Sequence, residues 1–323
     1  PMLLAVFIPA ITMRSLAEER RARTLEWLMS QPVGEGEVVL GKFLGAWGFV
    51  LFVLAGTVPT AVGILLVSEA DPGIVVAQYT GALLLTAELT AIGVWASSVT
   101  RNQITSFIVA AVIGFLLYSI GLPGIQMGAP SVIAGILGSL SVLSHFENVA
   151  RGVVDLRDVV YFLSVTALFL VLAIAYVARA RLSSKQADWT RLRIGTAVVA
   201  VIVLAVNLLG GRISGRLDLT RGELFTLSDG SRQVLGELDD IVQMTLFASS
   251  ELPPEVAIQI RDVRDLLSDM ERSAGGDLVF TEVNPDEDTE AVSRANALGI
   301  QPLEFNVLRD DEFDIRRGYY GLA

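Results

Sequence analysis

EERRARTLEWLMSQPVGEGEVVLGK, residues Glu18–Lys42, is a charged stretch set between two apolar runs, one ending at Met13 and the other starting at Phe43. A polar segment held between two membrane spans has to lie on the membrane surface, because its charges are costly in hydrocarbon while its flanks are costly in water. Leu25, Leu28 and Met29 fall at helical spacing, with Glu26 and the arginines alongside, which predicts an amphipathic helix within 18–31. Trp27 suits the headgroup region. Two readings fit that shape: an interfacial helix with no partner, or a surface gripped by a soluble protein.

Composition supports the membrane setting. The 323-residue chain is 52% hydrophobic with a mean hydropathy of +0.57, too apolar for an ordinary soluble domain. Cys is absent, which excludes a disulfide framework, a thiolate metal site and a Cys nucleophile. With one histidine, His145, a histidine zinc site or a Ser-His-Asp triad has almost nothing to draw on, and no catalytic or metal-ligating residue is expected.

The net charge of −11 is unevenly spread. Residues 211–323 hold 23 acidic and 11 basic residues, whereas residues 1–210 hold 12 and 13. The chain therefore reads as an apolar membrane body of balanced charge followed by an acidic, water-soluble one. The acidic body would repel phosphate, which argues against nucleic acid as a partner.

Uncharged runs place spans at about 43–67, 74–99 (interrupted only by Glu88), 103–121, 159–178 and 194–210. The run before Arg14 is shorter than the roughly 20 residues a span needs, so residues 1–13 are expected to be the end of a span whose start is missing. The end, RRGYYGLA, reads as an interrupted strand, so the acidic body is expected to be incomplete. The uncharged stretch 102–144 is too long for one helix, and LPGIQMGAP, residues 122–130, breaks it. Its second piece, 131–143, is too short to cross and is expected to be a re-entrant or surface helix.

Charge then chooses the sides. With 131–143 not crossing, Arg14, Arg20, Arg21, Arg23, Lys42, Arg101, Arg179, Arg181, Lys185, Arg191 and Arg193 all fall on the cytoplasmic side, against Arg151 and Arg157 outside. Residues 181–193 become a cytoplasmic linker, 194–210 an additional anchor, and 211–323 an extracytoplasmic domain. In that domain 241–249 and 277–283 read as strands, 255–272 as a helix with Val256, Ile260, Val263, Leu266, Leu267 and Met270 on one face, and 305–308 as the start of a third strand, which predicts an α/β layer fold. Asp286, Glu287 and Asp288 could bind a cation, but they fit better as the acidic first turn of a helix.

GEVVLGKF, residues Gly36–Phe43, imitates the first seven positions of a phosphate loop. Phe43 stands where that loop needs Ser or Thr for magnesium, and Glu35 and Glu37 would repel phosphate, so no nucleotide site is expected. Lys42 reads instead as an anchor where a span opens. Glu88, in the middle of a span, is costly there and is a candidate for a translocation path, a subunit interface, or a plain hydrogen-bonded carboxyl. His145 reads as a loop residue at the outer headgroups, and Gly41 with Gly45 shows small-residue spacing that could bring helices close.

Glu18, Glu19, Thr24, Leu25, Glu26, Pro32, Val39, Leu40, Gly41 and Lys42 together resemble the signature of type 2 ABC transporter permeases. The resemblance covers about residues 1–180. It implies an α-helical polytopic membrane protein in the cell inner membrane, without enzyme activity of its own. It also implies that Glu18, Glu19, Arg20, Thr24, Leu25, Glu26, Pro32 and Lys42 couple to a separate cytoplasmic ATPase, which would carry ATP and magnesium, and that a second permease copy completes the transporter. SSVTRNQ (Ser97–Gln103) and SHFENVARGVVDLRDVVYF (Ser144–Phe162) resemble the gliding-motility type of that family, although a polar turn and an external amphipathic loop would look much the same. DLTRGELFTLSDGSRQVL (Asp218–Leu235), with VNP at 283–285, resembles the auxiliary protein of those systems, an anchor plus an external α/β domain. The expectation is a natural fusion: a permease that exports or does mechanical work, with a binding domain outside. A membrane scaffold that recruits envelope proteins without transport is the alternative.

Overall fold

A computed structural model describes residues 1–122, 125, 131–182, 186–210, 215–221, 226–238, 240–249, 254–286, 289–309 and 312–323. The chain divides into two units, Pro1–Arg221 and Gly222–Ala323.

The first unit is helical: α1 (Leu4–Thr12), α2 (Ala17–Arg21), α3 (Thr24–Met29), α4 (Glu35–Ala55), α5 (Val58–Val67), α6 (Pro72–Val99), α7 (Gln103–Ser119), α8 (Ser131–Leu140), α9 (Val142–Ala150), α10 (Leu156–Leu182) and α11 (Gln186–Leu208), with two short strands, β1 (Val153–Asp155) and β2 (Arg216–Asp218). Among the described residues, the helical segments Glu35–Val67, Pro72–Val99, Leu156–Arg179 and Thr190–Leu208 are long and apolar enough to cross a membrane, and Gln103–Ser119 is a shorter apolar helix.

Local chemistry shifts several expected boundaries. The second apolar helix starts at Glu35, eight residues before Phe43, because the Glu37 carboxylate accepts from the Gly34 amide at 3.0 Å and stabilises a start in the polar segment. GEVVLGKF is therefore helix, and Lys42 sits inside α4 instead of opening it. The apolar run is then interrupted at Gly56–Thr57, since Pro59 has no amide to return to Ala55. Thr57 Oγ1 donates to the Leu54 carbonyl at 2.6 Å.

The amphipathic stretch 18–31 is two short helices, α2 and α3. Arg23 takes φ 58, a left-handed conformation that stops α2 and turns the chain. Similarly, 131–143 is not one piece, for Ser141 caps a new helix, its Oγ accepting from the Ser144 amide at 3.2 Å. Residues 144–150, for which an amphipathic loop is the alternative reading, are helical in α9, and β1 follows after Arg151 and Gly152. The break at 122–130 lies mostly outside the described residues. The expected linker 181–193 is helical wherever it is described, as the end of α10 and the first turns of α11.

The packing of unit 1 is built on α6. In its most apolar window 78% is buried inside the protein, against 6% for Glu35–Val67 and for Thr190–Leu208, which leaves those two free to face lipid. Asp71 and Pro72 start α6 as N-cap and first helical residue, Asp71 Oδ1 accepting from Gly73 N at 2.8 Å. Its middle, Leu84, Leu85, Leu89 and Ile92, packs on Ile8 of α1, Val50 of α4, Ala110 of α7 and Tyr161, Phe162 and Val165 of α10. Ala87, Ala91 and Val94 pack on a second cluster formed by Leu16, Leu25, Val38, Val39, Phe43, Ala173 and Val177.

The boundary expected at 210/211 falls later. β2 pairs antiparallel with β1 in the register Val153↔Asp218, Val154↔Leu217 and Asp155↔Arg216, which binds this stretch to unit 1.

In Gly222–Ala323, α12 (Asp229–Gly236) is capped by Ser228. Strand β3 (Val242–Ala248) pairs in parallel with β4 (Leu278–Val283), and helix α13 (Pro254–Ser273) connects them. After α14 (Thr289–Ala297) come β5 (Leu303–Arg309) and β6 (Glu312–Gly318), paired antiparallel with each other, and β7 (Tyr320–Leu322), which gives the sheet order β4-β3-β7. Ile260 and Leu267, with Val256, Val263 and Met270, pack α13 on Leu246 and Ala248 of β3. Arg264 holds Glu282 through two guanidinium nitrogens, and that hydrogen-bonded pairing raises the arginine pKa. Asp286 precedes α14 instead of lying in its first turn; its Oδ1 accepts from Ser249 Oγ at 2.9 Å. Glu287 and Asp288 lie outside the described residues.

Candidate functional site

The charged segment folds back on the end of α6 and becomes a small module. At its entry, Ser97 sits fully buried with its hydroxyl turned toward the start of α2. Ser97 Oγ accepts from the amides of Leu16 and Ala17, both at 2.9 Å, and donates to the Met13 carbonyl at 3.1 Å. A helix start leaves amides without intrahelical partners, and one serine from a distant helix supplies an acceptor for two of these backbone amides. One residue on, the Ser98 carbonyl accepts from the Arg20 guanidinium, which also lies over the Tyr176 ring of α10 at 4.8 Å from its centre. Glu19 pairs with Lys42, tying α2 to α4. Thr24 Oγ1 donates to the Glu19 carbonyl at 3.3 Å. Leu25, buried, fastens α3 into the second core cluster.

The residues expected to face a partner therefore divide. Glu19, Arg20, Leu25 and Lys42 are engaged within the chain and hold the module in place. Glu18, Thr24 and Pro32 are exposed, together with Arg21, Arg23, Trp27 and Gln31. The Glu26 side chain lies outside the described residues. Trp27 is 68% exposed, too much for a residue that serves only to pack this chain. Sequence reasoning marked Ser97–Gln103 as a motif yet missed what Ser97 does, because a bond spanning 81 residues leaves no local spacing to read.

Glu88 is fully buried on α6, in the turns that carry Leu84, Leu85, Leu89 and Ile92 of the first cluster. Neither carboxyl oxygen has a hydrogen-bond partner among the described residues. It faces the interior of the unit and not lipid, so an external interface does not account for it.

His145 is not a loop residue. It lies buried in α9, stacked on Tyr161 at 4.0 Å between ring centres. Its Nε2 is 3.1 Å from the Ser139 carbonyl, which can only accept, so Nε2 carries a proton. Its Nδ1 is 2.6 Å from Asp158 Oδ1, and Asn148 Nδ2 donates to the same oxygen at 3.4 Å. This cluster staples α9 to the start of α10. No group of three or more His, Asp or Glu side chains suited to a metal ion occurs among the described residues.

At the other end of α6, Asp71 Oδ2 accepts from the Arg221 amide at 2.6 Å. That bond, which favours the charged form, is the main reason the Asp71 carboxyl lies below its ordinary pKa. Leu219 N donates to Gly152 O at 2.9 Å and Leu156 N to Gly215 O at 2.7 Å, while Arg216 Nε donates to Asp155 Oδ1 at 2.9 Å. The approach is close: a Cβ on Gly73 would stand 1.6 Å from Leu219 O, and Gly152 has φ +105.

Residues 1–209 match the family described as ABC-2 family transporter protein. Residues 221–323 match a domain of unknown function, DUF7088. Neither the curated proteins nor the solved structures contain a match to the chain.

Proposed function

The chain belongs to the ABC-2 family of transporter proteins and is a multi-pass membrane subunit of an ABC transporter, and on that premise we propose that a separate cytoplasmic ATPase drives it by docking on residues 18–42. The observation that carries this reading is the two-sided build of the module. One side is fixed to the membrane helices through Ser97, Arg20, Leu25 and Lys42, while Glu18, Arg21, Thr24, Trp27 and Pro32 remain exposed. A surface held rigidly from behind and exposed in front suits the receipt of force. The excess of Lys and Arg on this side of the spans supports a cytoplasmic placement. ATP and magnesium belong to the partner, for GEVVLGKF is helix and supplies no loop to cradle phosphate.

The finer assignment is an exporter or force-transmitting permease of the gliding-motility type in the inner membrane, working as two permease copies. An odd number of spans after the cytoplasmic module supports reading Gly222–Ala323 as an external α/β domain that binds a substrate or an envelope protein, joined to the permease in one natural chain. The parallel strands β3 and β4 with α13 between them support the α/β reading.

Purification of the full chain from its native membranes into lipid nanodiscs, scored for a co-purifying ATPase with a complete phosphate loop, tests the docking. Substituting Trp27→Ala and Glu18→Lys should weaken retention of the ATPase at least tenfold. Unchanged retention with both substitutions present would remove the reading's main support.

A further inference from the structure

We propose that α6 is a strut that carries the ATPase stroke across the membrane to residues 215–221, the segment leading into Gly222–Ala323. This rests on the docking of an ATPase at residues 18–42 and adds where the work goes. The stroke ends at the external tether, so the output includes movement of the domain attached to it.

Three observations converge on α6. At its Val99 end, Ser97 and the Ser98 carbonyl grip the module through the amides of Leu16 and Ala17 and the guanidinium of Arg20. At its Pro72 end, the N-cap Asp71 accepts from the Arg221 amide at 2.6 Å, and Gly73 lets the Leu219 backbone approach to a distance that no side chain would allow. Between them run 28 residues of uninterrupted helix, roughly 42 Å at the helical rise, without an internal proline after the first position. A helix bonded at both ends and buried along most of its length transmits displacement, since a close-packed interior has low compressibility.

The tether has further reasons to move with α6. The β1–β2 pair, the Asp155–Arg216 ion pair and the Leu219–Gly152 bond hold it against the same end of the unit. The anchor helix α11 is by contrast little buried, so it does not fix the tether by packing.

The chain has no Cys and keeps its backbone amides as natural reporters, so hydrogen exchange on the full-length complex with its ATPase in nanodiscs reads the coupling directly. Exchange is compared between nucleotide-free complex and complex trapped with ATP and vanadate. The expected result is at least a fivefold change at Leu219 and Leu156 on trapping, alongside a change at Leu16 and Ala17. Ser97→Ala should cut the change at Leu219 to less than twofold. Asp71→Ala loosens the opposite end: Leu16 and Ala17 should respond in full while the Leu219 response falls, the β1–β2 pair keeping part of the hold. A chain that retains no ATPase fails the docking reading itself. A complex that hydrolyses ATP while Leu219 stays unresponsive overturns the strut alone, as does an unaltered Leu219 response in Asp71→Ala.

Discussion

Arg216 and Asp155 face each other across the β1–β2 pair, with Arg216 Nε 2.9 Å from Asp155 Oδ1 and both side chains largely withdrawn from solvent. The arginine comes after the last apolar helix and the aspartate precedes α10, so the ion pair joins residues 61 positions apart and adds to the backbone pairing of β1 with β2. Asp155 also holds Arg157 at 3.0 Å, which makes the aspartate the hub.

Replacing the hub should therefore cost more than replacing one spoke. Asp155→Ala leaves two partly buried guanidinium groups without this partner and should destabilise the β1–β2 clasp by about 2–3 kcal/mol. Arg216→Ala leaves Asp155 its bond to Arg157 and should cost about 1 kcal/mol. Protection of the Leu156 and Leu219 amides against hydrogen exchange measures both, and equal losses would contradict the hub.

Gly93 marks a close crossing of α1 and α6. A Cβ there would stand 1.9 Å from Thr12 Oγ1 and 2.7 Å from Thr12 Cβ. Gly93→Ala should destabilise the unit by about 1–3 kcal/mol, since two fully buried residues have to move apart. Thermal unfolding in detergent is the measurement. The companion change Thr12→Ala should recover only part of the loss, because the Cβ contact survives it.

Glu88 is placed against stability. A buried carboxyl without a hydrogen-bond partner among the described residues should give way to a leucine with a gain of about 1–3 kcal/mol. Glu88→Leu should raise the unfolding temperature in detergent while abolishing ATP-driven work by the reconstituted complex. A lowered unfolding temperature would mean that the carboxyl holds the core together.

Asp71 gives the clasp at the Pro72 end of α6 a pH dependence of known sign. Its folded pKa lies below the ordinary value of about 3.9, chiefly because the Arg221 amide bonds the charged form. The stabilisation is complete above that ordinary value and is lost as pH falls through the lowered one. Protection of the Arg221 amide, corrected for intrinsic exchange, should therefore be flat above about pH 5 and decline below about pH 4. In Asp71→Asn it should be lower at neutral pH and show no such decline.

The order of apolar and polar segments was readable because period and charge are local. Met13 ends one run, Phe43 begins another, and the charges between them define the module. The hydrophobic face of α13 was equally plain, from Val256 to Met270. Helix ends were read less well. Glu37 capping Gly34 moved a helix start by eight residues, and the left-handed Arg23 split a pattern that looked continuous. Both depend on a single side chain or a single backbone angle, which a period averages away.

The division of the charged module into engaged and exposed side chains is not legible in the sequence. Lys42 and Glu19 looked like partner-facing charges until they were found bonded to each other, and Leu25 looked like surface until it was found in the core. His145 appeared to be a loop residue, and its partners Asp158 and Ser139 come from either side of its own helix.

By itself the sequence determined that this is a polytopic membrane protein with a charged module between its spans and an acidic domain after them, because the cost of charge in hydrocarbon acts residue by residue. Tertiary structure alone decided which charges hold the module and which remain exposed, and that Ser97 and Asp71, at opposite ends of one helix, bind segments distant in sequence. Those facts reside in hydrogen bonds between residues 81 and 150 positions apart, whose geometry is set only when the helices pack.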